Sequence, residues 1–204
     1  MRINEILLEN RLDDQINEIA VMLKQHCQPF LTEMRGSSDS LYRGVGYGTP
    51  LFEVTPRVKI GTTRSYREPL DSYKPDQQVV DAWFKQKFGI AFRSDRVAFC
   101  SGNFKSAGSY GDLHRFVPIG NFSFCWSPKI KDLTDAVPRV KDIPLDSSER
   151  APAIIKILED GDFRVTDLQA AINAQHEIMV KCEKYYLLQV KTYDYIEILT
   201  QAMQ

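Results

Sequence analysis

Between residues 3 and 35 apolar side chains recur at steps of three and four: Leu12, Ile16, Ile19, Leu23, Cys27, Phe30 and Met34. That spacing is the period of one helix face, so the segment is expected to form a helix whose apolar stripe packs on the rest of the chain. Pro29 has no N–H to give and is expected to kink or break the last turns. The polar run Gly36-Ser37-Ser38-Asp39-Ser40 ends the helix. It is the expected boundary between an N-terminal helical extension, residues 1–40, and a domain spanning 41–204.

From Leu41 the texture changes to short apolar runs punctuated by Gly, Pro and Asp. Leu41-Tyr42-Arg43-Gly44 reads as a strand end, and the glycine-rich stretch 44–50 as the loop after it. Residues 51–61 alternate apolar and polar positions as a half-buried strand does. Val79, Val80, Trp83, Phe84 and Phe88 fall at helical spacing after Pro75, and Gly89 closes that helix. Residues 96–101, 115–120 and 121–127 read as strands, with a short helical turn at 105–111. Ser147 or Ser148 is positioned to cap a helix reaching Asp160, with Gly161 ending it. Thr166 with Gln169 forms a capping box for a further short helix. Three last strands are expected at 176–180, 185–190 and 194–199, the final pair joined by a tight turn near Thr192-Tyr193. Strands and helices mix without a strict βαβ alternation, which points to an α+β fold.

Composition adds exclusions. The 204 residues are 43% hydrophobic and 26% charged, ordinary for a globular chain, with a formal net charge of −1. Such a balance carries no electrostatic footprint for a phosphate backbone, so nucleic acid is not an expected partner. Cys27, Cys100, Cys125 and Cys182 are widely spaced and form no zinc-ligand pattern; all four are expected to be reduced, structural thiols, and no metal is expected. The N-terminal segment carries acids throughout and lacks the apolar core of a signal peptide. No run approaches the roughly 20 apolar residues of a membrane span. The expected location is therefore the cytoplasm, with no membrane partner.

Three separated pieces carry the candidate chemistry. Arg43 stands at the end of a strand with glycines after it. Ser101 ends another strand in Phe99-Cys100-Ser101-Gly102-Asn103. Gln175-His176-Glu177-Ile178-Met179-Val180 enters a third. Period-two alternation would place Gln175 and Glu177 on one face, with His176 on the opposite face as a surface residue. In this order the pieces resemble the Arg-Ser-Glu class of ADP-ribosyltransferases, a family that includes bacterial toxins and phage effectors. The resemblance covers about residues 41 to 200. Gly102 and Asn103 stand where the family has Thr and Ser, and the segment between Ser101 and Glu177 is long for it.

The resemblance implies a pair of small mixed or antiparallel sheets around an NAD cleft, with the N-terminal helix packed against them. It implies NAD-dependent mono-ADP-ribosyl transfer to a macromolecular acceptor, expected to be a protein, in the host cytoplasm if the chain is phage-encoded. NAD would be a substrate. Glu177 would hold the ribose 2′-hydroxyl and stabilise the oxocarbenium-like charge that develops as the nicotinamide leaves. Arg43 would grip a phosphate or ribose oxygen with its planar fork, and Ser101 would orient the glutamate or the ribose. Gln175 would face the acceptor, its amide favouring an amide-, hydroxyl- or thiol-bearing side chain over arginine. Gly44, Asn103 and Tyr110 complete the implied NAD-binding set, with Tyr110 either stacking on nicotinamide or packing in a turn. Arg64 and Arg67 either touch phosphate or pair with Glu68 and Asp71. His26 and His114 have no chemical partner in the sequence. Two other outcomes share these residues: a catalytically inactive interaction protein that keeps the fold, and an NAD glycohydrolase in which water replaces the acceptor.

Overall fold

The structure, a computed structural model, describes residues 3–37, 39–66, 73–140, 142–189 and 195–204, with side chains from residue 13 onward except 138 and 139. The N-terminal segment is α1 (Ile3–His26) and α2 (Gln28–Glu33). The break falls at Cys27, which precedes the first turn of α2 where Pro29 sits without losing a helical hydrogen bond. Eight strands follow: β1 (Tyr42–Val45), β2 (Leu51–Thr55), β3 (Val58–Thr62), β4 (Val97–Ser101), β5 (Asp112–Ile119), β6 (Ser123–Trp126), β7 (Glu177–Lys181) and β8 (Lys184–Gln189). Between and after them lie α3 (Lys74–Phe88), α4 (Phe104–Gly108), α5 (Leu133–Ala136), α6 (Arg150–Asp160), α7 (Leu168–Ala174) and α8 (Tyr195–Met203). No helix of the described residues is long and apolar enough to cross a membrane.

The α+β expectation holds, but the strands form one hydrogen-bonded antiparallel sheet in the order β2-β3-β8-β5-β1-β4-β7-β6, not a separate pair. Its seam is narrow. A single register pair, Tyr42 with Ser101, joins β1 to β4, whereas β5 and β8 match over six positions. The apolar alternation along the strands explains why the β4–β7–β6 half is buried on both faces. Ala98, Cys100, Ile178 and Val180 belong to a core shared with Leu23, Phe30 and Met34 of the N-terminal helices and Ile198 and Leu199 of α8. Val97, Cys125 and Met179 point the other way, into a second core with Val80 and Phe84 of α3 and Ile154 and Leu158 of α6. Each fully buried Val, Leu, Ile, Phe or Met side chain among them contributes about 1.5–3 kcal/mol of burial free energy. All four cysteines are free and buried; burial pushes the Cys27 and Cys182 thiols up to about 12.

Three local expectations are corrected. Residues 51–61 are two strands, not one: Pro56 and Arg57 turn the chain between β2 and β3, which pair back on each other. Residues 195–203 are a helix, because Tyr195, Ile198, Leu199 and Ala202 form a buried stripe of helical period that outweighs the β-prone composition; the expected turn at Thr192-Tyr193 lies outside the described residues. Asp167, not Thr166, caps α7 by accepting from the Ala170 N–H, and Gln169 instead donates to the carbonyls of Glu33 and Arg35. At α6 the helix proper begins at Arg150, with the Ser147 hydroxyl accepting from the Glu149 N–H just before it.

Gly102 shows what positions the end of β4. A Cβ there would lie 1.8 Å from the Ile172 carbonyl oxygen of α7, so only glycine lets the strand end pass beneath that helix. Gly102→Ala should cost about 1–3 kcal/mol as an overpacking change, read as a lower urea midpoint at unchanged m-value.

Candidate functional site

Strand register decides which candidates share a face. Tyr42, Ser101 and Glu177 lie directly across from one another on β1, β4 and β7. Arg43 is one residue further along β1, level with Cys100, so its side chain leaves from the opposite face. There the Arg43 guanidinium lies 5.6 Å from the centre of the Tyr185 ring, and its Nη1 donates to the Phe99 carbonyl at 3.2 Å. That bond spans the gap opened where β1 and β4 diverge beyond their single paired position. Arg43 Nε is buried with no partner. The expected convergence of Arg43 with Ser101 and Glu177 is thus not found.

Ser101 and Gln175 do meet. The buried Ser101 hydroxyl donates to the Gln175 carbonyl at 3.2 Å and accepts from the Asn103 N–H at 3.0 Å. Asn103 caps α4 through Oδ1, which accepts from the N–H groups of Lys105 and Ser106, while its Nδ2 donates to Gln175 Oε1 at 3.1 Å. Gln175 is not in a strand: it ends α7 in the left-handed region at φ 58°. Extended alternation therefore does not relate it to Glu177, and β7 begins only at the glutamate itself. Glycine is the usual residue at such a cap, and a side chain there costs about 1–2 kcal/mol. The Asn103 contact is what the glutamine side chain gains at that position. His176 is half-buried, with Nδ1 2.8 Å from the Ser127 carbonyl oxygen, and is not the surface residue expected.

Glu177 stands at the start of β7, its side chain 15% exposed. Arg93 Nη1 donates to both carboxylate oxygens, at 2.8 and 3.0 Å. The guanidinium lies over Phe99, its carbon 4.4 Å from the ring centre, and the Arg93 N–H is fixed by Asp81 at 2.9 Å. Burial pushes the Glu177 carboxyl above the usual carboxylate range; Arg93 and the Leu133 N–H oppose that rise, and Asp132 adds to it. Asp132 caps α5 by accepting from the Thr134 N–H at 2.7 Å, and its other oxygen accepts from the Tyr110 hydroxyl at 3.2 Å. The Tyr110 ring is exposed beside this group, and Phe104, also exposed, packs edge-on to Tyr42.

Arg93 and Asp132 are the members that sequence reasoning missed. Arg93 sits in the charged stretch Arg93-Ser94-Asp95-Arg96, which reads as a solvated turn before β4. The one usable signal was the aromatic Phe99 two residues before Ser101, on the same strand face. Gly44 is structural: a Cβ there would lie 2.0 Å from the Ala107 carbonyl oxygen, leaving no room for a ligand. Arg64 is exposed, and Arg67, Glu68 and Asp71 lie outside the described residues. A separate cleft of about 560 Å³ opens beside Phe88, Phe92, Phe122 and Phe124, at the Lys181 end of β7, and none of the candidate residues lines it.

Comparison of the chain with family models, with curated proteins and with solved structures gives no match in any of the three.

Proposed function

We propose that the chain transfers ADP-ribose from NAD to a protein acceptor, with Glu177 as the carboxylate beneath the reacting ribose. The observation that carries this reading is the meeting of Ser101, Gln175 and Glu177, from β4, the end of α7 and the start of β7, at one point of the sheet. A carboxylate held in place by Arg93 would stabilise the charge developing at an anomeric carbon set against it. The Gln175 amide, held out by Asn103, would meet the acceptor, and the exposed Tyr110 ring would stack on the nicotinamide. Ser101, which donates to Gln175 and accepts from the Asn103 N–H, acts as a positioning residue for Gln175.

A second reading has its own support. Arg43 faces away from Glu177, and Arg93 already holds the carboxylate, as an inactive interaction protein that kept the fold would have it. Incubation with labelled NAD and lysate separates these readings. Label on a lysate protein supports transfer; free ADP-ribose with no labelled protein supports NAD hydrolysis. A folded protein that neither binds nor consumes NAD rules out both enzymatic readings.

A further inference from the structure

We infer that Arg93, and not Arg43, is the arginine that receives the phosphate of the dinucleotide, gripping it while it holds Glu177 in place. The inference rests on the NAD reading above and deepens it. Among the described residues only one of the three guanidinium nitrogens of Arg93 is engaged: Nη1 bonds both Glu177 oxygens, while Nε and Nη2 have no partner there. Those two nitrogens form the fork that fits two oxygens of one phosphate. The side chain is about one-tenth exposed, so a ligand would meet a desolvated cation. The Phe99 ring below and the Asp81-bound main chain behind fix its direction, so little conformational freedom is lost on binding. Arg43 is also held against a ring, that of Tyr185, but it does not reach the site. It leaves from the other sheet face, and its bond to Phe99 closes the β1–β4 gap.

The arrangement links ligand binding to the glutamate. A phosphate on the free edge of Arg93 would hold the guanidinium in the position that orients Glu177, so an occupied site is a better-ordered site. The same contact places the negative phosphate and the carboxylate on two sides of one cation, which offsets the repulsion that Asp132 and Glu177 together would exert on an anionic ligand.

The test uses ADP-ribose as the probe, with binding followed by calorimetry and the Glu177 carboxyl followed by carbon NMR titration. Arg93→Met should weaken ADP-ribose roughly 10- to 100-fold, the loss of a charge-assisted pair, and move the Glu177 midpoint further up because the cation paired with it is gone. Arg93→Lys keeps a charge but not the fork, so it should weaken binding less and leave the Glu177 midpoint close to that of the native chain. Arg43→Met should weaken binding less than Arg93→Met and leave the Glu177 midpoint where it is. Native affinity in Arg93→Met, or a loss in Arg43→Met as large as in Arg93→Met, overturns the assignment and leaves the NAD reading standing. Absence of ADP-ribose and NAD binding by the native chain overturns both. If Arg93→Met does not fold, the ranking of Arg93→Lys against Arg43→Met decides: a greater loss in the former supports the assignment, and a greater loss in the latter overturns it.

Discussion

Glu177→Gln should lower ADP-ribosyl transfer by about 10²–10³-fold while leaving a folded protein that still binds ADP-ribose. The amide keeps one oxygen for Arg93 but cannot carry the negative charge that opposes the developing oxocarbenium ion. On the proposed reading NAD would be held by phosphate contacts and ring stacking, so kcat should fall far more than KM rises. The pH dependence gives an independent check. Because burial raises the Glu177 pKa in the folded chain, the acidic limb of the rate profile should lie above the roughly 4.3 of a free glutamate. The stability contribution has the matching sign. A raised folded pKa contributes stability that is present below the unfolded value and lost as pH rises through the folded one. The melting temperature of Glu177→Gln relative to the native chain should therefore rise across that window. A rate profile breaking at the free-glutamate pKa, or a flat melting difference, would falsify the role given to this buried carboxylate.

Parts of the fold were legible because they rest on local periodicity. The stripe from Ile16 to Met34 and the helix closed by Gly89 each bury one regular face, and the strand from Val97 to Ser101 is a short apolar run buried on both. Ser101 was legible as a strand end, and Glu177 as a residue of the strand at 176–180, for the same reason. What failed depended on partners distant in sequence. Residues 195–199 alternate well enough for a strand, yet α8 packs its helical stripe on α1 and α2, a choice set by tertiary burial. Gln175 was misplaced because the end of α7 absorbs it, and a glutamine in a left-handed cap carries no sequence signature. The face of Arg43 could not be read at all. It depends on the register between β1 and β4, which a single pair sets, and a slip of one residue would put the side chain on the other side. Arg93 was invisible for a related reason: its value comes from Glu177, 84 residues away.

The largest stability loss is expected on the side of the sheet away from the N-terminal helices, at Asp76→Ala. Arg150 opens α6 with its side chain only 9% exposed, and Asp76 in the first turn of α3 is 7% exposed. Nε and Nη2 of the arginine bond the two Asp76 oxygens at 2.8 and 2.6 Å, while Nη1 reaches the carbonyls of Val140 and Ile143 at 2.9 and 2.6 Å. One guanidinium thus joins α3, α6 and the chain entering α6 over the second core. Removing the carboxylate leaves a buried cation with two carbonyls and the Tyr73 ring but no counter-charge, a loss of about 3–5 kcal/mol. Much of that cost belongs to the unpaired charge and not to the lost attraction. Combining Asp76→Leu with Arg150→Met should consequently cost less than the two single changes added together, the coupling expected of contacting groups. Urea unfolding at constant m-value measures all four variants, Asp76→Ala, the two single changes of the cycle and their combination. Additive losses would mean that each residue acts through packing alone, and that the pair does not hold α3 to α6 as a unit.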